Sequence, residues 1–260
     1  TGIDGLACRS FLCKSVSYLY APGLTALRAS PMTLSDIPEK PTVALVGAGS
    51  IGRHHARWWH LSGAHVVANA GSSIASATVA GQRLTDDFGY RGIAYDSVEA
   101  MLDEQKPDWV DICTPDPFHA EFTRLALERG IATLCEKPLI YHPQQTPEEW
   151  LAQADMLVKF AHRHNCQLGL TSQYGIFTGH CLDLFMMQAP GTSISSLHAV
   201  LKAPARHCHS ALEVWMDLGP HVVALLQTIC QRLNQHTLQP DWHSVQWQKD
   251  GEDGMAVDLS

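Results

Sequence analysis

The strongest constraint on the fold is a glycine-rich turn that directly follows a short apolar strand. Residues 47–52 have the pattern G-x-G-x-x-G, the β-branched run 42–46 precedes them, and a helix-like segment follows to about Leu61. In this setting the glycines permit a tight turn and let a pyrophosphate approach the helix N-terminus. The pattern predicts dinucleotide binding by Gly47, Gly49, Ser50, Ile51 and Gly52. The alternative is a glycine turn that only lets the strand and the helix pack closely.

Strand-like and helix-like segments then alternate up to about residue 172. The predicted strands are 65–68, 109–113, 131–135 and 167–171, and the predicted helices are 73–88, 118–129 and 148–164. Apolar strands that alternate with helices are typical of a parallel sheet covered on both faces. The pattern predicts a doubly wound α/β domain, the Rossmann fold, over residues 42–172.

The regular alternation of strands and helices ends at about residue 172. A helix is predicted near 180–187, a strand near 197–203, a helix over 219–233, and two strand-like runs near the end of the chain. This order predicts a second, α+β domain over residues 173–260. Because the chain stops inside a strand-like run, we expect this domain to be incomplete as given.

Composition excludes several classes of partner. Lys plus Arg number 18 against 26 Asp plus Glu, a net charge of −8, and no stretch interleaves basic and aromatic residues, so we expect no nucleic-acid partner. The most apolar long window, 211–230, contains Glu213, Asp217 and Pro220, so we expect no membrane span. The eight cysteines lack the spacing of a disulfide framework, and we expect reduced thiols in a cytoplasmic protein.

Residues 1–41 differ from the rest of the chain. They combine basic residues with several serines and few acids, which is typical of a transit-type leader. The alternative is a disordered or artefactual extension, because Met32 would be a natural start.

The end of the second strand bears on the choice of dinucleotide. An acidic residue there would bind a free ribose 2′-hydroxyl, but the residues present are small or hydroxylated. Gly71, Ser72 and Ser73 therefore favour NADP, while NAD stays open because no arginine is adjacent and Arg83 lies on the following helix.

Four motifs together resemble one family. They are G-A-G-S-I-G-R-H-H-A-R at 47–57, T-P-D-P-F-H-A-E at 114–121, C-E-K-P at 135–138 and D-L-G-P-H at 217–221. In this order they resemble the Gfo/Idh/MocA oxidoreductases over residues 42–260. The resemblance implies a Rossmann domain followed by a domain with an open, mainly antiparallel sheet that faces the cofactor, and a homo-oligomer formed through that sheet.

Three residues are the candidate catalytic groups. Lys137 follows a buried strand at the edge where doubly wound folds bind ligands, and its ammonium group can stabilise a developing alkoxide. His221 is the candidate base, because Pro220 fits the first position of a helix whose dipole would keep the imidazole neutral. Asp217 would orient His221 or the substrate. The alternatives are a surface lysine, a structural histidine and a plain helix cap.

The resemblance also implies cofactor contacts outside the glycine-rich turn. In relatives the loop after the fourth strand runs beside the nicotinamide, so Thr114, Pro115 and His119 are candidates, as are Glu136 and Lys137. Relatives often have a cis peptide bond before the proline of E-K-P, here Pro138. Residues 206–209 with His180 and Cys181 are the candidates for a zinc site, but their spacing matches no closed site and we expect no metal.

These features predict an NAD(P)-dependent oxidoreductase that acts on a secondary alcohol or ketone of a sugar, cyclitol or related polyol. Gly175 stands where relatives often have an arginine that lines the substrate pocket, and Ala224 stands where they often have an acid. The alternative is therefore a catalytically silent dinucleotide-binding sensor built on the same fold.

Overall fold

A computed structural model describes residues 40–191, 199–204, 211–232, 245–250 and 254–259. The chain divides into two compact units, one ending at Thr171 and the other beginning at Ser172. The predicted leader or extension, apart from residues 40 and 41, lies outside the described residues.

The first unit alternates strands and helices. The strands are β1 (Thr42–Val46), β2 (His65–Ala70), β3 (Ile93–Tyr95), β4 (Trp109–Ile112), β5 (Ala132–Cys135) and β6 (Leu168–Leu170). The helices are α1 (Ser50–Leu61), α2 (Ile74–Phe88), α3 (Val98–Gln105), α4 (His119–Glu128) and α5 (Pro147–Arg163), with a 3₁₀ turn at Asp116–Phe118. Sequence analysis assigned neither β3 nor α3.

The six strands form one parallel sheet in the order β3-β2-β1-β4-β5-β6. The strand order reverses between β1 and β4, and doubly wound sheets bind ligands outside the carboxyl ends of the strands at such a point. The predicted Rossmann domain is confirmed.

Side-chain alternation along β1 divides the core between the two faces of the sheet. Val43 and Leu45 join a cluster with residues of α1 and α2, whereas Ala44 and Val46 join a cluster with residues of α3, α4 and α5. All four are at most 2% exposed. Because successive residues of a strand point to opposite faces, a fully apolar strand requires helices on both sides.

The described residues of the second unit form two helices, α6 (Gln173–Gln188) and α7 (Ala211–Arg232), and three strands, β7 (Ala199–Pro204), β8 (Val245–Asp250) and β9 (Gly254–Leu259). The strands pair antiparallel in the order β7-β9-β8. No helix in the described segments combines the length and the apolar character needed to cross a membrane.

The predicted start of the last helix is wrong. We expected a helix from residue 219 with Pro220 in its first turn, but α7 begins at Ala211 and Pro220 lies inside it. Leu218, Val222 and Ile229 are all buried on this helix at helical spacing. Burial of this continuous apolar face offsets the one backbone hydrogen bond that proline cannot donate.

Candidate functional site

Four loops meet at the carboxyl edge of the parallel sheet. Backbone hydrogen bonds join them in sequence: Gly47 N donates to Ala70 O (2.9 Å), Cys113 N to Val46 O (2.8 Å) and Glu136 N to Ile112 O (2.8 Å). The structure thus gathers at one edge the loops that follow β1, β2, β4 and β5. These loops and the first turn of α1 carry most of the predicted cofactor residues: Gly47, Gly49, Ser50, Ile51, Gly52, Gly71, Ser72, Ser73, Thr114, Pro115, Glu136 and Lys137.

The three glycines of the turn have different surroundings. Gly47 has a φ of +86°, and a Cβ there would lie 2.8 Å from Cys113 O. A Cβ on Gly52 would lie 2.1 Å from Gly47 O, whereas a Cβ on Gly49 would have no heavy atom within 4 Å. The fold therefore requires glycine at positions 47 and 52, while Gly49 faces open space.

The N-terminus of α1 is free to receive an anion. Gly49 is the N-cap, no side chain caps the helix, and no acidic residue lies in its first turn. The first backbone N–H groups of a helix have no partner within it and carry the positive end of the helix dipole. This geometry fits a pyrophosphate.

The loop after β2 starts helix α2. A Cβ on Gly71 would lie 2.7 Å from Ser76 Oγ, so the loop passes close to the helix. Ser73 caps the helix by accepting a hydrogen bond from Ser76 N (3.2 Å), and Ser72 Oγ lies 3.5 Å from Ser76 Oγ. The loop thus presents hydroxyl groups and no carboxylate.

His119 connects the loops after β4 and β5. Its ring is buried, with Nδ1 2.7 Å from Pro138 O and Nε2 2.8 Å from Thr114 O. A neutral imidazole donates one of these hydrogen bonds and an imidazolium donates both. The backbone thus occupies both ring nitrogens of His119, which was predicted to contact the cofactor.

Two further features lie beside His119. The Lys137–Pro138 peptide bond is cis, which confirms that expectation. Thr114 Oγ1 is buried and has no hydrogen-bond partner among the residues that the structure describes. A buried hydroxyl without a partner is costly, so Thr114 is suited to a polar group of a bound ligand.

A buried polar cluster lies beneath the glycine-rich turn. His55 Nδ1 lies 3.0 Å from Asp111 Oδ2, and Trp59 Nε1 donates to the same oxygen at 2.6 Å. Cys113 Sγ lies 3.2 Å from His55 Nδ1, and Glu136 Oε1 lies 3.3 Å from His55 Nε2. Of these residues, only Glu136 is among the predicted cofactor contacts.

The two carboxylates determine the charge of His55. Burial acts to lower the pKa of His55, but hydrogen bonds and charge from Asp111 and Glu136 outweigh it and raise the pKa to about 10. Burial, followed by the charge of Asp111, raises the pKa of the Cys113 thiol well above its usual range. At neutral pH His55 is therefore an imidazolium and Cys113 a neutral thiol.

Three side chains of this cluster are of types that bind metal ions. Ligand atoms of His55, Asp111 and Cys113 lie within 4.8 Å of one another. A metal would have to displace a proton from the imidazolium and another from the thiol, and the raised pKa of each group opposes this. Hydrogen bonding among the protonated groups accounts for the arrangement.

The sequence contains a signal for this cluster. Gly52, His55, Ala56 and Trp59 share one helical face, which the two small residues mark as the face against the sheet. A histidine on a buried face requires a polar partner. Asp111 lies within the otherwise apolar strand W-V-D-I and supplies that partner.

Asp217 and His221 lie on α7 in the second unit. Their spacing of four places them on one face of a continuous helix. The His221 ring packs against Tyr174 of α6 with the ring centroids 4.8 Å apart. Because Pro220 lies inside the helix, the argument that a helix N-terminus keeps His221 neutral is wrong.

The two departures from the family pattern lie against each other. A Cβ on Gly175 of α6 would be 3.9 Å from Ala224 Cβ and 3.2 Å from Thr228 Oγ1 on α7. The small residues therefore allow the two helices to approach closely where relatives often have charged groups. The zinc candidates at 206–209 lie outside the described residues.

Comparison with known proteins places these features in a family. Residues 42–171 match the oxidoreductase family with an NAD-binding Rossmann fold. The chain is 37% identical over 122 residues to D-glucoside 3-dehydrogenase of Escherichia coli (strain K12), covering 46% of this chain and 31% of that protein. It is 35% identical over 96 residues to D-apiose dehydrogenase of Paraburkholderia graminis, covering 36% and 24%.

A solved oxidoreductase from Pseudomonas syringae has the same fold over a longer stretch. It superposes with a TM-score of 0.54 at 26% identity, covering 75% of this chain and 53% of that one. The matches span about a third or less of the two curated relatives and about half of this solved chain.

Proposed function

Because the chain belongs to the Gfo/Idh/MocA oxidoreductase family, we propose that it is an NAD(P)-dependent oxidoreductase that acts on a secondary alcohol or ketone of a sugar, cyclitol or related polyol. The observation that carries this proposal is the convergence of the glycine-rich turn, the Thr114 loop and the Glu136–Lys137 segment at one edge of the sheet. The names of the matched relatives, dehydrogenases of a glucoside and of apiose, support a sugar-like substrate.

The residues of this edge suit a dinucleotide. The open space at Gly49 and the uncapped N-terminus of α1 would hold the pyrophosphate, and the Thr114 hydroxyl would meet a polar group of the cofactor. Both ring nitrogens of His119 bind backbone carbonyls, so His119 would act by fixing the loops on either side. When bound, the nicotinamide supplies the hydride acceptor or donor.

The protein's own groups would manage the proton and the charge on oxygen. We assign Lys137 to the stabilisation of the substrate oxyanion and His221 to the removal or return of the hydroxyl proton. Asp217 lies four residues before His221 on the same helix and would orient it or a substrate hydroxyl. We assign His221 as the base from this spacing and from the family resemblance. The dipole at a helix N-terminus does not support this assignment, because Pro220 lies inside α7.

For the cofactor we favour NADP. The loop after β2 presents the exposed Ser72 and no acid, which removes the repulsion that a carboxylate would exert on a 2′-phosphate. Ser73 already serves as the cap of α2, so Ser72 is the freer hydroxyl.

The second unit would be a substrate and oligomerisation domain over residues 173–260. Its antiparallel strands agree with an open sheet of that kind. Assembly through this sheet, and a cytoplasmic location, stay predictions.

The test is a fluorescence titration of NADPH and NADH against the purified chain. Gly49→Val should weaken NADPH binding at least about tenfold, because its side chain would occupy the space offered to the pyrophosphate. Ala152→Val adds two of the same three carbon atoms at an exposed site on α5 and should bind as the unmodified chain does. Equal affinity for NADPH in Gly49→Val and the unmodified chain would contradict the site.

A second assay separates the enzyme from the silent sensor. Turnover with a sugar or polyol that Lys137→Ala abolishes would support the enzyme. Tight dinucleotide binding without turnover across a broad polyol panel would support the sensor.

A further inference from the structure

We propose that His55 is a positioning residue that ties the glycine-rich turn to the Glu136–Lys137 segment, and so holds the two sides of the dinucleotide site in register. This inference rests on the proposed function, since it assigns a task within the same site. His55 lies on α1, one turn beyond Gly52.

Each ring nitrogen of His55 faces a different element. Nδ1 lies 3.0 Å from Asp111 Oδ2 on β4, and Nε2 lies 3.3 Å from Glu136 Oε1 in the segment after β5. An imidazolium donates from both nitrogens, so one ring can hold both carboxylates at once. The helix that begins at the glycine-rich turn is thereby fixed to the residue that precedes Lys137.

The cluster also supports the glycine-rich turn directly. Cys113 Sγ lies 3.2 Å from His55 Nδ1. Cys113 also packs closely against the turn. A Cβ on Gly47 would lie 2.8 Å from the backbone oxygen of Cys113, and a Cβ on Gly52 would lie 3.1 Å from the Cβ of Cys113. Any shift of His55 would therefore reach the turn through Cys113, because closely packed groups transmit displacement.

The Glu136 contact is the one that a purely structural role does not require. Asp111 is completely buried and already accepts from Trp59 Nε1 at 2.6 Å, so His55 completes the neutralisation of a buried charge. The Glu136 side chain is 13% exposed and could be solvated instead. The contact with His55 therefore uses the Nε2 donor of the ring to hold a residue of the candidate cofactor site.

Three titratable groups of the described residues face His55. They are Asp111 on β4, Cys113 directly after β4, and Glu136 in the segment after β5, while Trp59 on the helix of His55 does not titrate. Two acidic side chains and one thiol face the ring, and the acidic groups favour its protonated form. This form is the one that can donate a hydrogen bond to Asp111 and to Glu136 at the same time.

A series of variants separates positioning from stability. His55→Gln leaves the buried Asp111 without its cation, so it should lower both the midpoint of thermal unfolding and the affinity for NADPH, the latter about tenfold. Adding Asp111→Asn removes the unpaired charge, so the midpoint should recover while the affinity stays low. An affinity that recovers together with the midpoint would overturn the proposal.

Coupling to Glu136 is the second readout. Glu136→Ala should also weaken NADPH binding about tenfold, and the double variant with His55→Gln should bind no more weakly than either single variant. Additive losses of about a hundredfold would show that His55 does not act through Glu136.

The matched control is His54→Gln, the same substitution at the exposed neighbouring histidine, which should bind NADPH within about twofold of the unmodified chain. An unmodified chain that binds neither NADPH nor NADH would overturn the proposed function and this inference together. Normal binding that His55→Gln does not weaken would overturn only the inference.

Discussion

Helix α1 carries an ion pair on each of its two sides, and the pairs differ chiefly in burial. On the solvent side Arg53 binds Asp87 through two bonds of 2.5 Å, with the side chains 45% and 22% exposed. On the sheet side His55 binds Asp111 at 3.0 Å, with the side chains 12% and 0% exposed. Water can replace the partner of an exposed charge but not that of Asp111, so similar contacts have different consequences for folding.

The glycines at the start of α1 show the same contrast between a crowded and an open position. We expect Gly52→Ala to prevent the native fold, because the added Cβ would lie 2.1 Å from the backbone oxygen of Gly47. This is the largest effect that we predict for the helix. Gly49→Ala is the matched control and should still fold, since nothing lies within 4 Å of its Cβ; the weaker N-cap preference of alanine should lower the melting temperature only slightly.

Circular dichroism melts of the two glycine variants would check this. A cooperative transition of Gly52→Ala at the temperature of the unmodified chain would show that the turn tolerates a side chain there. The predicted difference between the crowded position 52 and the open position 49 would then be wrong.

The second-largest effect is expected from His55→Gln. Removal of one partner from a buried ion pair leaves an uncompensated charge, and we expect a loss of about 3 kcal/mol in the free energy of unfolding. Urea titration of the variant against His54→Gln, which alters an exposed residue of the same helix, would measure it. A loss as small as that of the His54 variant would mean that Asp111 finds another partner or takes up a proton.

Most of the first unit could be predicted from the sequence. Between residues 42 and 171 the apolar strands, the glycines at turns and the lengths of the helices all indicate the same alternation of strands and helices. The three-residue strand Ile93–Tyr95 is too short to show a period, so β3 was missed. The start of α7 was mispredicted because Pro220 is also the residue expected at a helix start. The apolar spacing through Leu218 and Val222 was the better guide.

The candidate site was predictable only where residue type dictates backbone geometry. Gly47 and Gly52 were found because a tight turn needs glycine, and their crowding explains why. The bridge from Asp111 through His55 to Glu136 joins residues 56 and 81 positions apart, and no local pattern encodes those distances. The sequence shows that His55 and Asp111 each lie on a buried face and need a polar partner, but only the tertiary structure shows that they pair with each other.

A smaller effect concerns the pH dependence of stability. The pKa of His55 is about 10 in the folded protein and 6.5 without these contacts. A raised pKa stabilises the fold fully below about pH 6.5, and this contribution is lost as the pH rises towards 10. The difference in melting temperature between the unmodified chain and His55→Gln should therefore shrink steadily from about pH 6.5 to 8.5.

The upper end of that range lies below the ordinary pKa of a thiol, 9.0, so ionisation of cysteines in the unfolded chain contributes little. A difference that stays constant across the range would show that His55 is neutral in the fold.

The smallest effect is expected on the solvent side of the helix. Hydrogen bonding to Arg53 lowers the pKa of Asp87, so the pair exists, but both side chains keep access to water. Arg53→Ala should leave the urea midpoint unchanged within experimental error, and salt at about 0.5 M should erase any residual difference by screening. A loss comparable to that of His55→Gln would show that the two bonds of the guanidinium hold α1 to α2, and that burial is not what distinguishes the two sides.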